Sequence, residues 1–428
     1  MKIKRTQITH VSEKLKSPLG FKGGFLTELW QVVVRVEDEN NFGVGVGVQS
    51  VLWSDAEVFV SNTETKGNEY MYELTSYALD ELVGKEGNNP IELMDLIFPS
   101  VYDYAKTLTN VKDKIRETFV RNALVAVDNA LWQLYGKNKK EENLFNLVPQ
   151  EYQSSLSAKQ QYLCNIPLIS YGVSEEDIKN ILDGGASLLK IKIGFDNNKK
   201  MDKEEMVEWD KKRLLQIHEI AKNYRSKYSK NGHILYYLDA NGKYDSLKRV
   251  ENLLEFAKEH GFLNDIVLFE EPFEENNLID VSSLPVRIVA DESLHSLKDV
   301  KIRLSLGYKA FALKPIAKTL SETLKILKAA HENNVICFCA DLTVNPLLVE
   351  WNKNIASRIN SLPEMNVGIL ESNGEQNYAN YIKMYDAHPL KDKSFVKPYR
   401  YIYTLNDEFY SCSGGIFKDS KYYLSLLK

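Results

Sequence analysis

Short apolar runs that each end in a charged residue constrain the fold of this chain more than any other feature. Five of them lie between residues 188 and 315: L-L-K-I-K, Y-Y-L-D-A-N, V-L-F-E-E-P, I-V-A-D-E-S and F-A-L-K-P. Such runs are typical of buried strands, and the intervals of about 20 to 50 residues between their ends leave room for helices. The alternation predicts an α/β fold with parallel strands.

Eight runs predict the strands of a (β/α)7β, TIM-like barrel. The predicted strands are residues 161–166, 188–193, 234–238, 266–269, 286–290, 310–313, 335–339 and 367–370. Helical apolar spacing marks residues 175–182, 204–224, 247–260 and 321–333. In such a barrel all C-terminal strand ends meet at one mouth, where the chemistry of the fold takes place. We therefore expect the charged residues at the strand ends to share one cavity.

The first 155 residues carry a different pattern, which predicts an α+β region. Residues 29–36 and 42–52 have the pattern of a β-hairpin, and residues 66–85 and 113–135 carry helical spacing. The G-V-G-V-G run of the second strand lacks the G-x-G-x-x-G spacing of a dinucleotide-binding turn. The sequence therefore gives no support to a Rossmann dehydrogenase and favours a glycine-bearing hairpin strand.

Three acidic residues at successive strand ends predict a metal site. Asp239, Glu270 and Asp291 each follow an apolar run directly. Hard cations such as Mg²⁺ prefer oxygen ligands. Each acid alone could equally be a helix N-cap, but three at successive strand ends favour a metal. Glu271 and Glu292 rank lower, because strand alternation should direct their side chains elsewhere.

Lysines at two strand ends predict proton transfer. Lys190 and Lys192 share a strand face through the period of two, and Lys314 should lie across the mouth from Lys192. Lysines on opposite sides of one carbon could remove a proton and return it from the other side. The alternatives are solvated surface lysines for the pair and an anion-binding role for Lys314.

Together these segments resemble the enolase superfamily, specifically its muconate-lactonising-enzyme subgroup. In that subgroup a Lys-x-Lys motif ends the second barrel strand, acidic residues end the next three, and a lysine ends the sixth. The run V-A-V-D-N-A-L-W-Q-L-Y-G-K at residues 125–137 is similar to a helix of the family's capping domain. The resemblance covers most of the chain. It implies a capping domain (1–155), a barrel (156–394) and a C-terminal segment that packs on the capping domain (395–428).

The resemblance also implies a Mg²⁺ cofactor and a role for each charged residue. The implied metal ligands are Asp239, Glu270 and Asp291, and the implied catalytic residues are Lys192 for proton transfer, Lys190 for electrostatic assistance and Lys314 as the second lysine. The implied chemistry is removal of a proton α to a carboxylate through an enediolate. A racemase or epimerase is the first choice, a dehydratase or another β-eliminating lyase the second, and a cycloisomerase the third. A non-catalytic carboxylate-binding barrel is the alternative from another class.

Candidate substrate-binding residues follow the other strand ends. Glu371 and Asn373 end the last strand, where dipeptide epimerases of this subgroup typically carry Asp-x-Asp, so the Glu-x-Asn here is a departure. Asp341 ends the seventh strand, and Asn241 follows Asp239 by two residues. His295 is the nearest stray imidazole, and a lone histidine is more often structural.

Two segments of the N-terminal region are further candidates for substrate contact. The loop at residues 17–25 is similar to the family's capping-domain loop that closes over substrate. Its glycines permit movement, while Phe21, Lys22 and Phe25 are candidates for contact with a ligand. Trp53 lies where a second capping loop is expected.

Composition sets the remaining expectations. The chain has 428 residues, 44% hydrophobic and 26% charged, with a net charge of −5. These values are typical of a globular protein and argue against a dedicated nucleic-acid binder. The sequence shows neither an apolar run of membrane-spanning length nor an apolar signal core, and four cysteines do not make a disulfide framework. We expect a cytoplasmic homo-oligomer whose partner is a small-molecule carboxylate.

Overall fold

The computed structural model describes residues 1–21, 24–109, 115–196 and 201–427. Its strands are β1 (Arg5–Phe21), β2 (Gly24–Glu37), β3 (Phe42–Gln49), β4 (Tyr162–Ile166), β5 (Leu168–Ile169), β6 (Leu188–Lys192), β7 (Leu235–Asp239), β8 (Ile266–Glu270), β9 (Ile288–Ala290), β10 (Ala310–Leu313), β11 (Ile336–Cys339), β12 (Gly368–Glu371) and β13 (Ile402–Thr404).

The helices of the first 160 residues all precede β4. They are α1 (Val51–Ser54), α2 (Ala56–Val60), α3 (Glu64–Leu82), α4 (Pro90–Thr109), α5 (Glu117–Ala123), α6 (Val125–Lys139), α7 (Leu144–Leu147) and α8 (Gln150–Gln153). The sequence pattern at residues 113–135 predicts one helix, and the structure has α5 and α6 there, separated at Leu124.

The later helices follow the strands from β5 to β12, except that the described residues between β8 and β9 form no helix, and they continue into the C-terminal segment. They are α9 (Glu175–Asp183), α10 (Lys203–Ala221), α11 (Leu247–Glu259), α12 (Leu297–Ser305), α13 (Pro315–Lys318), α14 (Leu320–Glu332), α15 (Pro346–Ala356), α16 (Gly374–Asn377), α17 (Tyr381–Met384), α18 (Asp407–Cys412) and α19 (Lys421–Ser425). Short 3₁₀ helices are Ser154–Leu156, Leu263–Asp265, Tyr385–Ala387 and Ser413–Gly415. Among the described helices, none is both long enough and apolar enough to cross a membrane.

The N-terminal sheet is antiparallel, with the order β1-β2-β3. The expected hairpin is present as β2 and β3, and β1 adds a third strand that the sequence analysis did not predict. β1 pairs with β2 from Arg5 to Phe21, with a register shift between Lys14 and Leu19. The N-terminal sheet therefore has one strand more than the apolar pattern alone predicts.

The G-V-G-V-G run of β3 is the surface on which α6 packs. A Cβ atom on Gly45 would lie 1.9 Å from the carbonyl oxygen of Ala126, and one on Gly43 would lie 2.0 Å from that of Ala130. Any side chain at these positions would force the helix away from the strand. The glycines therefore serve close helix–strand packing.

The second sheet has ten strands in the order β13-β4-β12-β11-β10-β9-β8-β7-β6-β5, parallel except for β13. It is curled, because β4 and β5 lie far apart in this order although only Pro167 separates them in the chain. The first expected strand, residues 161–166, corresponds to β4, and β5 is an additional short strand after Pro167, which has no N–H to donate. The α/β class with parallel strands is confirmed, while the strand count differs from the expected eight.

Helix α6 connects the N-terminal region to the rest of the chain. The buried carboxylate of Asp128 accepts hydrogen bonds from Ser321 at the start of α14, from N at 3.0 Å and from Oγ at 2.5 Å. Lys137 pairs with Asp419 at 2.6 Å, and Gln133 donates to the carbonyl of Ile416 at 3.3 Å. The C-terminal segment thus contacts α6. The domain boundaries 1–155, 156–394 and 395–428 stay predictions.

Candidate active site

A cavity of about 660 Å³ lies where the C-terminal ends of the parallel strands face the N-terminal sheet. Leucines and Trp53 form its apolar walls. The charged and amide side chains that line it are Lys190, Lys192, Asp239, Asn241, Glu270, Asp291, Glu292, Lys314, Asp341, Glu371 and Asn373. The charged strand ends singled out in the sequence are therefore brought together at one place.

Lys190 is the most heavily paired cation of this cavity. Its Nζ lies 3.1 Å from Asp239 Oδ2, 3.2 Å from Glu270 Oε1 and 3.1 Å from Glu371 Oε2. The ammonium also lies 4.7 Å from the centroid of the Tyr237 ring. Lys190 is only 4% exposed. It therefore holds three buried carboxylates from three different strands around one positive charge.

Lys192 lies two residues further along β6 and has fewer partners. Its Nζ donates to Asp239 Oδ2 at 2.6 Å and to Asn241 Oδ1 at 2.5 Å. The Asn241 amide continues the network by donating to Glu292 Oε1 at 2.8 Å. Asn241 has a positive φ of 45°, a conformation that asparagine tolerates better than most residues. The turn after β7 therefore places one amide between Lys192 and Glu292.

Lys314 and Lys318 approach Asp291 from the opposite side of the cavity. Lys314 Nζ lies 2.5 Å from Asp291 Oδ2, and Lys318 Nζ donates to the carbonyl oxygen of Asp291 at 2.7 Å. The ring of Trp53, from α1, lies against both ammonium groups, with centroid distances of 4.4 and 5.8 Å. Lys314 directly follows β10, and Lys318 comes one helical turn later on α13.

Glu270, Asp291 and Glu292 form a cluster of carboxylates that could hold a cation. One ligand oxygen from each lies within 4.8 Å of those of the other two, and all three side chains are buried. Asp239, which the sequence predicts as the third ligand, is paired instead with Lys190 and Lys192. Asp239 and Glu270 nevertheless share the ammonium of Lys190.

Burial and mutual pairing set the charges of this site. Burial opposes ionisation of Asp239, but the nearby lysine ammonium groups lower its pKa below the ordinary value. Burial, with a smaller contribution from the neighbouring Asp291, raises the pKa of Glu270 to about 8. Although burial opposes it, the surrounding carboxylates raise the pKa values of Lys190 and Lys314. Both of these lysines are therefore held as cations.

The donor set fits a divalent cation such as Mg²⁺. It consists of carboxylate oxygens, which hard cations prefer. Glu270 Oε2 is buried and has no hydrogen-bond partner among the described residues. An oxygen buried in this way costs free energy unless a donor or a cation satisfies it. Glu270 with Asp291 therefore forms the part of the cluster best suited to hold a metal ion.

Glu271 shapes the turn that carries Asp291. It has a φ of 39°, and its Oε1 accepts hydrogen bonds from Asp291 N at 2.6 Å and from Ser293 N at 2.9 Å. Burial, together with the nearby Glu292, raises the pKa of Glu271 to about 7. The carboxylate therefore points away from the cavity, as strand alternation predicts, and fixes the backbone of the turn that carries Asp291.

The wall opposite the carboxylate cluster contains Asp341, Glu371 and Asn373. Asp341 Oδ2 accepts from Asn373 N at 2.6 Å, and Glu371 Oε2 accepts from Asp341 N at 3.3 Å. Thr343 Oγ1 donates to Asn373 Oδ1 at 2.8 Å. Burial, with Glu371 beside it, raises the pKa of Asp341 to about 7. These groups already satisfy much of one another's hydrogen bonding.

A buried polar chain connects this wall to the N-terminal sheet. Gln31 of β2 donates to Tyr378 Oη at 2.9 Å, and Tyr378 Oη donates to the carbonyl oxygen of Thr343 at 2.8 Å. Asn345 donates to Gln31 Oε1 at 2.6 Å. Thr343 has a positive φ of 56°, which is strained for a β-branched residue. The N-terminal sheet therefore holds the loop after β11 in its unusual conformation.

Among the candidate ligand-contact residues of the N-terminal region, Phe25 does not line the cavity, whereas some of its neighbours in the sequence do. Leu19, Gly20 and Leu26, which flank the turn of the β1–β2 hairpin, line the cavity. The backbone of Phe21 pairs with Gly24, and Lys22 lies outside the described residues. Phe25 is 64% exposed and does not line the cavity.

His295 lies away from this cavity. Its Nε2 is 2.9 Å from Glu275 Oε2, and its Nδ1 is 3.3 Å from Thr118 Oγ1. It lines a separate cavity together with Arg116. The environment of His295 is that of a hydrogen-bonded structural histidine.

Two residues of the site are not predicted by the strand pattern. Strand alternation directs Glu292 away from the cavity, but β9 ends at Ala290 and the turn brings Glu292 back to the cavity. Lys318 lies beyond the strand end, although the spacing K-P-I-A-K places it on the same helical face as Lys314. That spacing is the signal that could have identified it.

Comparison with known proteins places the fold. Neither a family model nor a curated protein matches the chain. Solved structures do match. A mandelate racemase/muconate lactonizing protein from Herpetosiphon aurantiacus has a TM-score of 0.66 at 17% identity and covers 95% of this chain and 96% of its own.

Two of the other similar structures are epimerases. A dipeptide epimerase from Enterococcus faecalis V583, complexed with Mg and L-Leu-L-Tyr, has a TM-score of 0.62 at 18% identity, with 89% and 92% of the two chains covered. The L-Ala-D/L-Glu epimerase from Bacillus subtilis has a TM-score of 0.63 at 17% identity, with the same coverage. The fold of this chain is that of mandelate racemase/muconate lactonizing enzyme-like members of the enolase superfamily, as its motifs predict.

Proposed function

We propose that this chain is an isomerase of the enolase superfamily that racemises or epimerises a small carboxylate. The observation that carries the proposal is the placement of Lys192 and Lys314 at the ends of β6 and β10. Between them lie the ends of β7, β8 and β9, which carry the carboxylates. A carbon atom held over these carboxylates would have one lysine on each side.

The two lysines supply the proton transfers. One lysine, as a neutral amine, takes the α-proton, and the electron pair of the C–H bond moves into the substrate carboxylate. The other lysine, as an ammonium, returns a proton to the opposite side of the carbon, which inverts it. Lys190 remains a cation among three carboxylates and stabilises negative charge nearby.

The carboxylate cluster would hold the divalent cation. Glu270 and Asp291 would be ligands, with Asp239, as the sequence predicts, or the neighbouring Glu292 completing the set. When bound, the cation would stabilise negative charge that develops on the substrate carboxylate. Glu271 and Asn241 would position the turns that carry these ligands, because they bond to the backbone of Asp291 and to Glu292.

We also infer that the curled sheet closes as a (β/α)7β barrel. The supporting observation is that β4 pairs with β12 and β5 pairs with β6, while β4 and β5 are consecutive in the chain. A closed barrel brings strand ends β6 to β12 to one mouth. The small-molecule carboxylate would bind there, under the β1–β2 hairpin.

The test is α-proton exchange in D₂O. Libraries of small carboxylates would be incubated with the protein and Mg²⁺, and proton NMR would follow loss of the α-proton signal and appearance of the epimer. Exchange with formation of the epimer supports the proposal. Formation of a 2-keto acid would instead indicate a β-eliminating lyase, and the absence of exchange across the libraries would refute proton abstraction.

A further inference from the structure

We propose that the substrate is a monocarboxylate whose body is uncharged and largely apolar and offers one N–H or O–H donor to Asp341. This inference rests on the proposed function, since it assumes that the substrate carboxylate binds at the metal side of the cavity. Three features of the remaining wall carry it: the pairing of the cations, the pairing of Glu371 and Asn373, and the orphaned oxygen of Asp341.

Among the described residues, each lysine that lines the cavity is already paired with a carboxylate. Lys190 is shared by three carboxylates, Lys192 pairs with Asp239, and Lys314 pairs with Asp291. Recruiting the buried Lys190 or Lys314 for a second carboxylate or a phosphate would break an ion pair inside a buried site. Breaking such a pair leaves an uncompensated buried charge, which is strongly unfavourable. A substrate with two anionic groups therefore fits poorly.

Acceptor oxygens at the end of β12 are also occupied by groups of the protein, which disfavours an ammonium group there. Glu371 is 3% exposed, and its Oε2 accepts both from Lys190 and from the backbone of Asp341. Asn373 Oδ1 accepts from Thr343 Oγ1 at 2.8 Å and from Asn377 at 3.1 Å. Glu371 Oε2 and Asn373 Oδ1 are therefore already occupied by groups of the protein itself.

Among the described side chains of that wall, Asp341 supplies the one fully buried acceptor oxygen that has no partner. Its Oδ2 is occupied by Asn373 N at 2.6 Å, whereas its Oδ1 is buried and has no partner among the described residues. Asp341 is 6% exposed and lines the cavity. A buried acceptor without a partner is costly, so a ligand that donates one hydrogen bond there is favoured.

The apolar walls define the rest of the substrate. Leu26, Leu52 and Leu342 are buried where they line the cavity, and Leu19 and Leu168 line its outer part. Removing an apolar substituent from water against these side chains is favourable, whereas burying an ammonium there without a full counter-charge is costly. These leucines therefore favour an uncharged hydrocarbon body.

A matched series of probes tests the inference. N-acetyl-leucine, glycyl-leucine and N-malonyl-leucine differ only in whether the acyl methyl group carries hydrogen, an ammonium or a carboxylate. The series would be repeated with alanine, methionine and phenylalanine in place of leucine, since the length of the pocket sets the preferred side chain. Proton NMR in D₂O with Mg²⁺ measures α-proton exchange, and thermal shift measures binding. We expect the N-acetyl compounds to be preferred at least about tenfold.

The role of Asp341 is tested by the Asp341→Asn variant and by an ester probe. 2-Acetoxy-4-methylpentanoate replaces the N–H of N-acetyl-leucine by an ester oxygen. In Asp341→Asn the amide oxygen can still accept from Asn373 N, while its NH₂ group replaces the orphaned acceptor by a donor. We expect the wild-type protein to prefer the amide probe and Asp341→Asn to lose or reverse that preference by about tenfold. An unchanged ratio would overturn the role of Asp341.

Other outcomes separate this inference from the proposed function. Preferred binding of glycyl-leucine or N-malonyl-leucine would overturn the substrate class while leaving proton abstraction intact. If Lys22→Met abolished a preference for the malonyl probe, Lys22 would be the anion receptor, and the inference would be wrong. Binding of the N-acetyl probes without exchange would refute the proposed function but keep the ligand class, whereas no thermal shift with any probe would overturn the ligand class.

Discussion

Lys190 and Lys192 differ in how far each is committed to carboxylates, although only one residue separates them. Lys190 contacts three carboxylates and its side chain is 5% exposed, whereas Lys192 contacts one carboxylate and one amide and is 20% exposed. The less committed lysine is better placed to exchange a proton with a ligand. In the proposed mechanism Lys192 is therefore the base, and Lys190 is the fixed positive charge.

Replacing the base should abolish turnover without unfolding the protein. Lys192→Ala removes an ammonium and no buried apolar group, so the fold should persist, which circular dichroism would check. Loss of a general base costs roughly two to four orders of magnitude in rate. The measurement is the rate of α-proton exchange with whichever carboxylate exchanges in the library experiment. Lys258→Ala, at a lysine 64% exposed on α11, is the control. Wild-type turnover in Lys192→Ala would exclude the role.

Replacing the second lysine should separate the two proton transfers. Lys314→Met keeps the bulk of the side chain but removes the ammonium that pairs with Asp291. Epimerisation should stop, while Lys192 should still exchange the α-proton of one enantiomer with D₂O. NMR with each pure enantiomer measures this. Exchange of both enantiomers by the variant would show that Lys314 is not a base.

The metal site can be tested without any substrate. Glu270→Gln and Asp291→Asn each remove a charged oxygen from the carboxylate cluster, so Mg²⁺ affinity measured by calorimetry should fall at least about tenfold, or about 1.4 kcal/mol. Glu255→Gln, 58% exposed on α11, is the matched control and should bind as the wild type does. Unchanged affinity in both cluster variants would place the cation elsewhere.

At the scale of elements, the strand ends could be predicted from the sequence because apolar strands have a period of two. Lys190 and Lys192 lie on one face of β6, and both reach the cavity. The same rule fails for Glu292, which lies in the turn after β9 and lines the cavity although the period directs it elsewhere. Asn241, two residues after Asp239, lines the cavity as the sequence predicts, but in a turn with a positive φ that the period does not describe. Local turn geometry therefore sets the exact position of both residues.

Asp128, at the junction between α6 and α14, should make the free energy of unfolding depend on pH. Burial raises the pKa of Asp128 from 3.8 to about 6, so the folded state favours its neutral form. The unfolded chain ionises first as the pH rises. The stability that the neutral form contributes is therefore complete below about pH 4 and is lost as the pH rises through about 6. The loss amounts to roughly 3 kcal/mol, at about 1.4 kcal/mol per pKa unit.

Asp128→Asn should remove this dependence. The amide can still accept from Ser321 N and can donate to Ser321 Oγ, so the junction should remain intact. Urea unfolding at pH values from 4.5 to 7 would give the difference in free energy of unfolding between variant and wild type, in which other groups cancel. That difference should grow in favour of the variant as the pH rises. Asp103→Asn, 74% exposed on α4, should show no such trend.

At the scale of the whole molecule, the C-terminal segment is fixed to the second sheet's helices by very close packing. Gly414 has a φ of 64°, and a Cβ atom on it would lie 2.2 Å from Glu350 Oε2 in α15. Glu350 in turn pairs with Lys353 at 2.6 Å, and both side chains are fully buried. A side chain at position 414 would therefore disturb a buried ion pair.

Three glycine substitutions separate backbone strain from this contact. Gly172→Ala has open space and no positive φ, so its effect on the free energy of unfolding should stay within about 0.5 kcal/mol. Gly232→Ala has open space at a φ of 77° and should cost about 1 to 2 kcal/mol. Gly414→Ala adds a clash with Glu350 to the strain of a positive φ, so it should lower the free energy of unfolding clearly more than Gly232→Ala does. Equal losses at 232 and 414, measured by urea unfolding, would contradict the packing role.

The chain of hydrogen bonds from Gln31 through Tyr378 and Thr343 has a consequence for how this protein can be rebuilt. It continues through Asn373 to Asp341, whose backbone bonds to the same Glu371 carboxylate that Lys190 contacts. A chimera that joins this curled sheet to the N-terminal region of a relative would lose Gln31, the first residue of this chain of hydrogen bonds. The recipient sheet would then have to hold Thr343 in its left-handed conformation alone. The N-terminal region and the sheet are therefore best exchanged together, as one inherited unit.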